Sequence, residues 1–207
     1  MIKTNPTKIE WTDRVWNPIT GCLRGCFYCY AKKLFTRFHR SFEPTLYPDR
    51  FYGGKELKKP TKIFVCSVAD LFAPWTSAMW RDEVLTAIRL APEYLTFQLL
   101  TKCPEGIPKD YKFPDNVWVG VTATNEEDTY YALKELANVK ARVRFLSLEP
   151  LLGKIDLSLD NIEWLIIGKL TGSKKIPLNP EWVDFLIEEA DKKFKPIFIK
   201  NNIGWHK

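Results

Sequence analysis

No stretch of this 207-residue chain approaches about eighteen consecutive apolar residues, so no part of it reads as a membrane-spanning helix. The opening residues lack the apolar centre of a secretory signal, which makes the reducing cytoplasm the expected location. Histidine is scarce. Only His39 and His206 occur, neither in a paired motif, so the two-pair signatures of structural zinc are missing. The five cysteines are an odd number and do not read as a disulfide framework without an export signal. Repeats, low-complexity tracts and a division into acidic and basic halves are also lacking, and 1–207 reads as a single domain. No known nucleic-acid-binding motif appears, although a net charge of +6 and a pI near 9.0 tolerate an anionic partner such as nucleic acid. The densest basic stretch is Lys32, Lys33, Arg37, His39 and Arg40, which serves equally as a solvated helix face or a phosphate contact.

What the chain does contain is a series of short apolar runs separated by amphipathic ones. The runs are 63–68, 95–100, 117–121, 143–148, 164–167 and 196–199, each rich in β-branched and aromatic residues. Apolarity on both faces favours parallel strands. Helical spacing recurs between them: Trp80, Val84, Ala87, Ile88 and Ala91 follow a cap at Thr76 or Ser77. Leu133, Leu136 and Ala137 follow Thr124 or Asn125, and Val183, Leu186, Ile187, Ala190 and Phe194 follow Asn179-Pro180. Three prolines between Leu100 and Val117 leave room there for a short helical turn at most. With a first strand around Val15–Ile19, about seven parallel strands are expected. Chemistry in such folds collects at the carboxyl ends of the strands. Ser67, Asp70, Thr101, Lys102, Thr122, Glu149, Gly168, Lys169, Lys200 and Asn201 should then face one cavity.

The most informative run is Gly21-Cys22-Leu23-Arg24-Gly25-Cys26-Phe27-Tyr28-Cys29, a C-x3-C-x2-C spacing with an aromatic residue before the last cysteine. Three thiolates on one loop can hold three corners of an iron–sulfur cube, or part of a zinc site. The run resembles the signature of the radical SAM superfamily at every position. The blocks around Ile9–Asp13, Trp16–Cys22, Phe64–Phe72, Phe97–Lys102, Asn116–Val121 and Phe145–Leu152 resemble, more narrowly, a phage-type three-cysteine protein family within it. Later stretches depart from that pattern, with Gly168-Lys169-Leu170-Thr171-Gly172 in place of a Gly-Gly-Glu-Ser-Gly segment.

The resemblance implies an α/β fold of the partial (β/α)6, TIM-like barrel type. It also implies a 4Fe–4S cluster on Cys22, Cys26 and Cys29, with S-adenosylmethionine on the open iron, cleaved reductively to a 5′-deoxyadenosyl radical that takes hydrogen from a substrate. An electron donor such as ferredoxin or flavodoxin is then required. Asp70 is the expected partner of the methionine ammonium and Thr122 of a ribose hydroxyl. Tyr28 and Gly168 are expected near the adenine, and Lys102, Glu149 and Lys200 face the substrate. Cys66 and Cys103 read as inert. The alternative is a nucleic-acid-binding or interaction protein whose cluster or zinc ion is structural.

Overall fold

Along each central strand, side chains alternate between two different apolar environments, and this alternation organises the molecule. The structure, a computed structural model, describes residues 1–156, 158–172 and 176–205. Ten strands are present among them: β1 (Asn5–Pro6), β2 (Arg14–Trp16), β3 (Ile19–Thr20), β4 (Thr45–Leu46), β5 (Thr61–Val65), β6 (Leu95–Thr101), β7 (Val117–Thr122), β8 (Val143–Leu148), β9 (Trp164–Ile167) and β10 (Ile197–Ile199). The helices are α1 (Tyr30–Arg37), α2 (Ala78–Arg89), α3 (Glu126–Leu136) and α4 (Pro180–Lys192).

Eight strands form one sheet in the order β1-β2-β5-β6-β7-β8-β9-β10, parallel from β2 onward, with β1 antiparallel at the edge. The order follows the chain without the reversal that a doubly wound sheet requires. On one face, Ile63, Val65, Phe97, Leu99, Val119, Leu146 and Leu165 pack with Val84 and Ile88 of α2, Leu133 and Leu136 of α3, and Val183 and Leu186 of α4. On the other, Phe64, Trp118, Phe145, Trp164, Ile166 and Phe198 gather around Trp11, which precedes β2. The Trp11 ring centre lies 4.8 Å from that of Phe64 and 6.1 Å from that of Trp164. Gly120 belongs to this second face. A Cβ there would stand 2.5 Å from the Phe145 ring, so the strand needs glycine for the aromatic to lie across it.

The expected helices form with their expected caps. Ser77 accepts from the Trp80 N–H at 3.2 Å, Asn125 from Asp128 at 2.9 Å, and Asn179 from Glu181 at 3.0 Å, with Pro180 opening α4. The stretch rich in proline holds a single 3-10 turn, Pro104–Gly106. Two residues expected on the buried helix stripes fall outside them, since Ala137 caps α3 and is exposed, and Phe194 lies beyond the end of α4 at 93% exposure with a left-handed φ of 52°. Three expectations about the strands also change. The first strand stops at Trp16, because Pro18 has no N–H for the ladder, and Ile19–Thr20 pairs instead with β4 in a separate two-stranded sheet. The second ends at Val65, since Cys66 takes a left-handed φ of 57°. The two residues of β1 are too few to leave a periodic signal, which is why the sheet has one strand more than expected. No helix among the described residues is long and apolar enough to cross a membrane.

Candidate functional site

Parallel strands deliver their carboxyl ends to one side of the sheet, and a cavity of about 610 Å³ opens there. All three cysteines of the C-x3-C-x2-C run line it, as do Tyr28, Asp70, Lys102, Thr122, Glu149 and Lys200. Nine of the ten candidate residues are therefore brought together. Gly168 does not line this cavity; it lies behind the wall.

The cysteine loop is fixed at both ends by its backbone. The Gly21 N–H donates to the Val68 carbonyl at 3.0 Å, and the Cys22 N–H to the Phe42 carbonyl at 3.0 Å. Gly21 has a φ of 88°, and a Cβ on it would meet the Glu43 carbonyl oxygen at 2.2 Å. Gly21→Ala is therefore expected to lower stability by about 2 kcal/mol or more and to displace the loop. Urea unfolding read together with bound iron checks this, and an unchanged midpoint with full iron uptake would contradict it. At its far end the loop enters α1, where Cys29 is the cap and its sulfur accepts from the Lys32 N–H at 3.3 Å.

The three thiols are free and partly exposed to the cavity. Burial pushes the Cys22 thiol up, opposed by a hydrogen bond from the Arg24 backbone. Among the described residues, no three His, Cys, Asp or Glu side chains converge closely enough to hold a single metal ion. A cluster is larger than one ion and takes its thiolates further apart, and soft sulfur donors are its ligands. Three soft sulfur donors on one loop, all lining the cavity, are a donor set that fits a cluster. Cys66 and Cys103 are different: both are buried, and desolvation pushes each thiol up to about 12. Cys103 accepts from the Arg24 guanidinium at 3.3 Å, which ties the cysteine loop to the end of β6.

Asp70 is buried and largely occupied by its own chain. It accepts from the Thr101 hydroxyl at 2.6 Å, the Lys102 N–H at 2.8 Å and the Phe72 N–H at 3.2 Å. It thus joins the end of β5 to the end of β6. The Lys102 side chain then enters the cavity with its ammonium 5.6 Å from the centre of the Tyr28 ring. No hydrogen bond or ion pair to that ammonium is found among the described residues, and burial lowers its pKa. Such a depressed pKa penalises folding at neutral pH and relieves it as pH rises through the folded-state value. Lys102→Met is accordingly expected to raise stability by about 1 kcal/mol at neutral pH, with a gain that shrinks in alkali. Thermal unfolding across pH tests this; a loss at neutral pH would mean that the ammonium is already satisfied.

Glu149, after β8, and Lys200, after β10, form an ion pair across the cavity wall. Gly168 backs that pair. A Cβ there would stand 2.9 Å from Glu149 Cγ and 3.0 Å from Lys200 Cδ. Asn201 does not line the cavity; its backbone N–H donates to the Glu10 carboxylate at 2.8 Å. Trp11, Arg24, Tyr30 and Ser147 are among the cavity residues that sequence reading did not single out. Ser147 was legible in principle, because it shares the inward register of Phe145 on β8, and Arg24 stands inside the cysteine run itself. Tyr30 donates to the Ser67 carbonyl, a contact between distant segments that no local pattern announces.

Solved structures of spore photoproduct lyase share this fold. One, with AdoMet and dinucleoside spore photoproduct bound, aligns with a TM-score of 0.66 and 11% identity, covering 95% of this chain and 78% of that one. Another, complexed with dinucleoside spore photoproduct, gives 0.63 and 13%, covering 96% and 79%. The mixed α/β, mostly parallel architecture is therefore the fold of that lyase. No curated protein matches the sequence. A family model does match, over residues 6–207, and by it the chain belongs to the family described as "Protein of unknown function (DUF5131)".

Proposed function

We propose that this protein is a radical SAM enzyme of partial-barrel form, with kinship to the phage-type three-cysteine proteins. The observation that carries the reading is the placement of Cys22, Cys26 and Cys29. Three free thiols at the carboxyl end of a parallel sheet line a cavity in a fold shared with a lyase solved with AdoMet bound. When bound, a 4Fe–4S cluster and S-adenosylmethionine supply reductive cleavage of the sulfonium C–S bond and a 5′-deoxyadenosyl radical that abstracts hydrogen.

The chain's own residues hold and orient. Cys22, Cys26 and Cys29 ligate the cluster, with backbone N–H groups of Arg24 and Lys32 directed at two of the sulfurs. Asp70 has three of its four acceptor positions filled internally, which leaves one for the methionine ammonium. Thr122 serves the ribose, and Tyr28 lies against the adenine. Gly168 keeps the Glu149–Lys200 pair seated in the wall, where the two can meet the substrate together. Lys102, whose ammonium makes no direct ion pair although Asp70 and Glu149 act on it from nearby, receives an anionic group of the substrate. The aromatic floor around Trp11 keeps water from beneath the reacting groups.

Anaerobic loading with iron and sulfide, followed by dithionite and S-adenosylmethionine, tests the proposal. 5′-Deoxyadenosine and methionine should appear in equal amounts. A loaded, reduced protein that releases neither would refute it.

A further inference from the structure

A second, smaller cavity of about 250 Å³ adjoins the first. Arg24, Tyr28, Lys102 and Thr122 line both, so the two spaces share a wall. Beyond that wall the smaller one is bounded by Glu105, in the turn after β6, and by Asp128, in the first turn of α3. Four charged side chains, two of each sign, therefore border one small space. None of the four takes part in an ion pair among the described residues. Opposite charges that surround a space without meeting across it are complementary to a ligand carrying both signs.

The carboxylate of Asp128 is held by one oxygen. Its Oδ2 accepts from the Thr124 hydroxyl at 2.8 Å, the Asn125 amide at 3.1 Å and the Thr124 N–H at 3.3 Å. No hydrogen bond reaches Oδ1 among the described residues, so the bonding at the start of α3 accounts for Oδ2 alone. On the shared wall, the Arg24 guanidinium uses one N–H on Cys103, and the Lys102 ammonium makes no direct ion pair. We propose that this side cavity binds a free α-amino acid, its carboxylate on Lys102 and Arg24 and its ammonium on Asp128 and Glu105. The inference rests on the radical reading above only in making that amino acid the substrate, whose anionic group on Lys102 is then its carboxylate. Charge argues against simpler ligands: a phosphate would meet two carboxylates, and a plain amine two cations. The volume lies below the range that holds drug-sized ligands, which suits a small zwitterion. With its carboxylate on the shared wall, the rest of the amino acid stays beside the cavity that the three cysteines line.

The probes are the standard L-amino acids, titrated singly by calorimetry into the full-length protein with S-adenosylmethionine in excess. At least one should bind. Its N-acetyl derivative and its carboxamide, each lacking one of the two charges, should bind about tenfold or more weakly. Asp128→Asn and Glu105→Gln should each weaken the same amino acid about tenfold. Should the first variant fail to fold, the second, on an exposed turn, carries the comparison. Failure of every amino acid to bind at millimolar concentration would overturn the proposal. So would derivatives that bind as well as the amino acid, an affinity unchanged in either folded variant, or inorganic phosphate bound at these residues instead. Displacement of the amino acid by S-adenosylmethionine would assign the cavity to the methionine end of that molecule and overturn the proposal too. The titration needs no cluster. A chain that takes up no iron would refute the radical reading, and the same measurement would still decide what the side cavity binds.

Discussion

Alanine at Cys22, Cys26 or Cys29 is expected to remove the cluster and with it all 5′-deoxyadenosine formation, while alanine at Cys66 leaves both in place. The physical difference is the environment of each sulfur. The three loop thiols are partly exposed to the cavity, and main-chain N–H groups are directed at two of them. Cys66 lies in the core at 2% exposure, where desolvation keeps it a neutral thiol that cannot serve as a ligand. Its loss removes a small apolar group and should cost about 1 kcal/mol of stability. Iron and sulfide analysis of each variant, beside product formation, checks the contrast. Retention of a full cluster by any of the three loop variants would contradict the assignment.

The second large effect lies at Asp70. Removing its carboxylate in Asp70→Ala strands the Thr101 hydroxyl and the N–H groups of Phe72 and Lys102 in a region from which water is largely excluded. Each stranded donor costs about 1–3 kcal/mol, and partial repacking brings the expected total to about 3–5 kcal/mol. Asp70→Asn retains one acceptor oxygen and should cost about half as much. The order alanine worse than asparagine worse than wild type, read from urea unfolding, is the expected result. Alanine within 1 kcal/mol of wild type would show that the link between β5 and β6 is dispensable. Because the same carboxylate is assigned to the methionine ammonium, both variants should also bind S-adenosylmethionine more weakly than wild type.

How much of this was legible in the sequence depended on how local the cause was. Caps act within four residues, so Ser77, Asn125 and Asn179 could be read directly, as could strands whose apolar runs match the pleat. The end of the first strand was misplaced because Val15 to Ile19 is apolar apart from Asn17, and the effect of Pro18 on the ladder outweighs that composition. Strand-end logic placed Lys102, Thr122, Glu149 and Lys200 on one cavity correctly. It could not show that Glu149 and Lys200 would find each other, nor that Gly168 serves them instead of lining the space. Those facts depend on the spacing of β8, β9 and β10 across the sheet, which no single segment encodes. The internal hydrogen bonds of Asp70 were hidden for the same reason, since two of their donors come from the next strand's end.

The account turns on what Cys22, Cys26 and Cys29 hold. Electron paramagnetic resonance of the anaerobically reconstituted, dithionite-reduced protein, recorded before and after S-adenosylmethionine, addresses it most directly. The account predicts about four irons and four sulfides per chain and a reduced-cluster signal that shifts when S-adenosylmethionine occupies the open iron. A colourless protein carrying one zinc, or a cluster signal indifferent to S-adenosylmethionine, would contradict it.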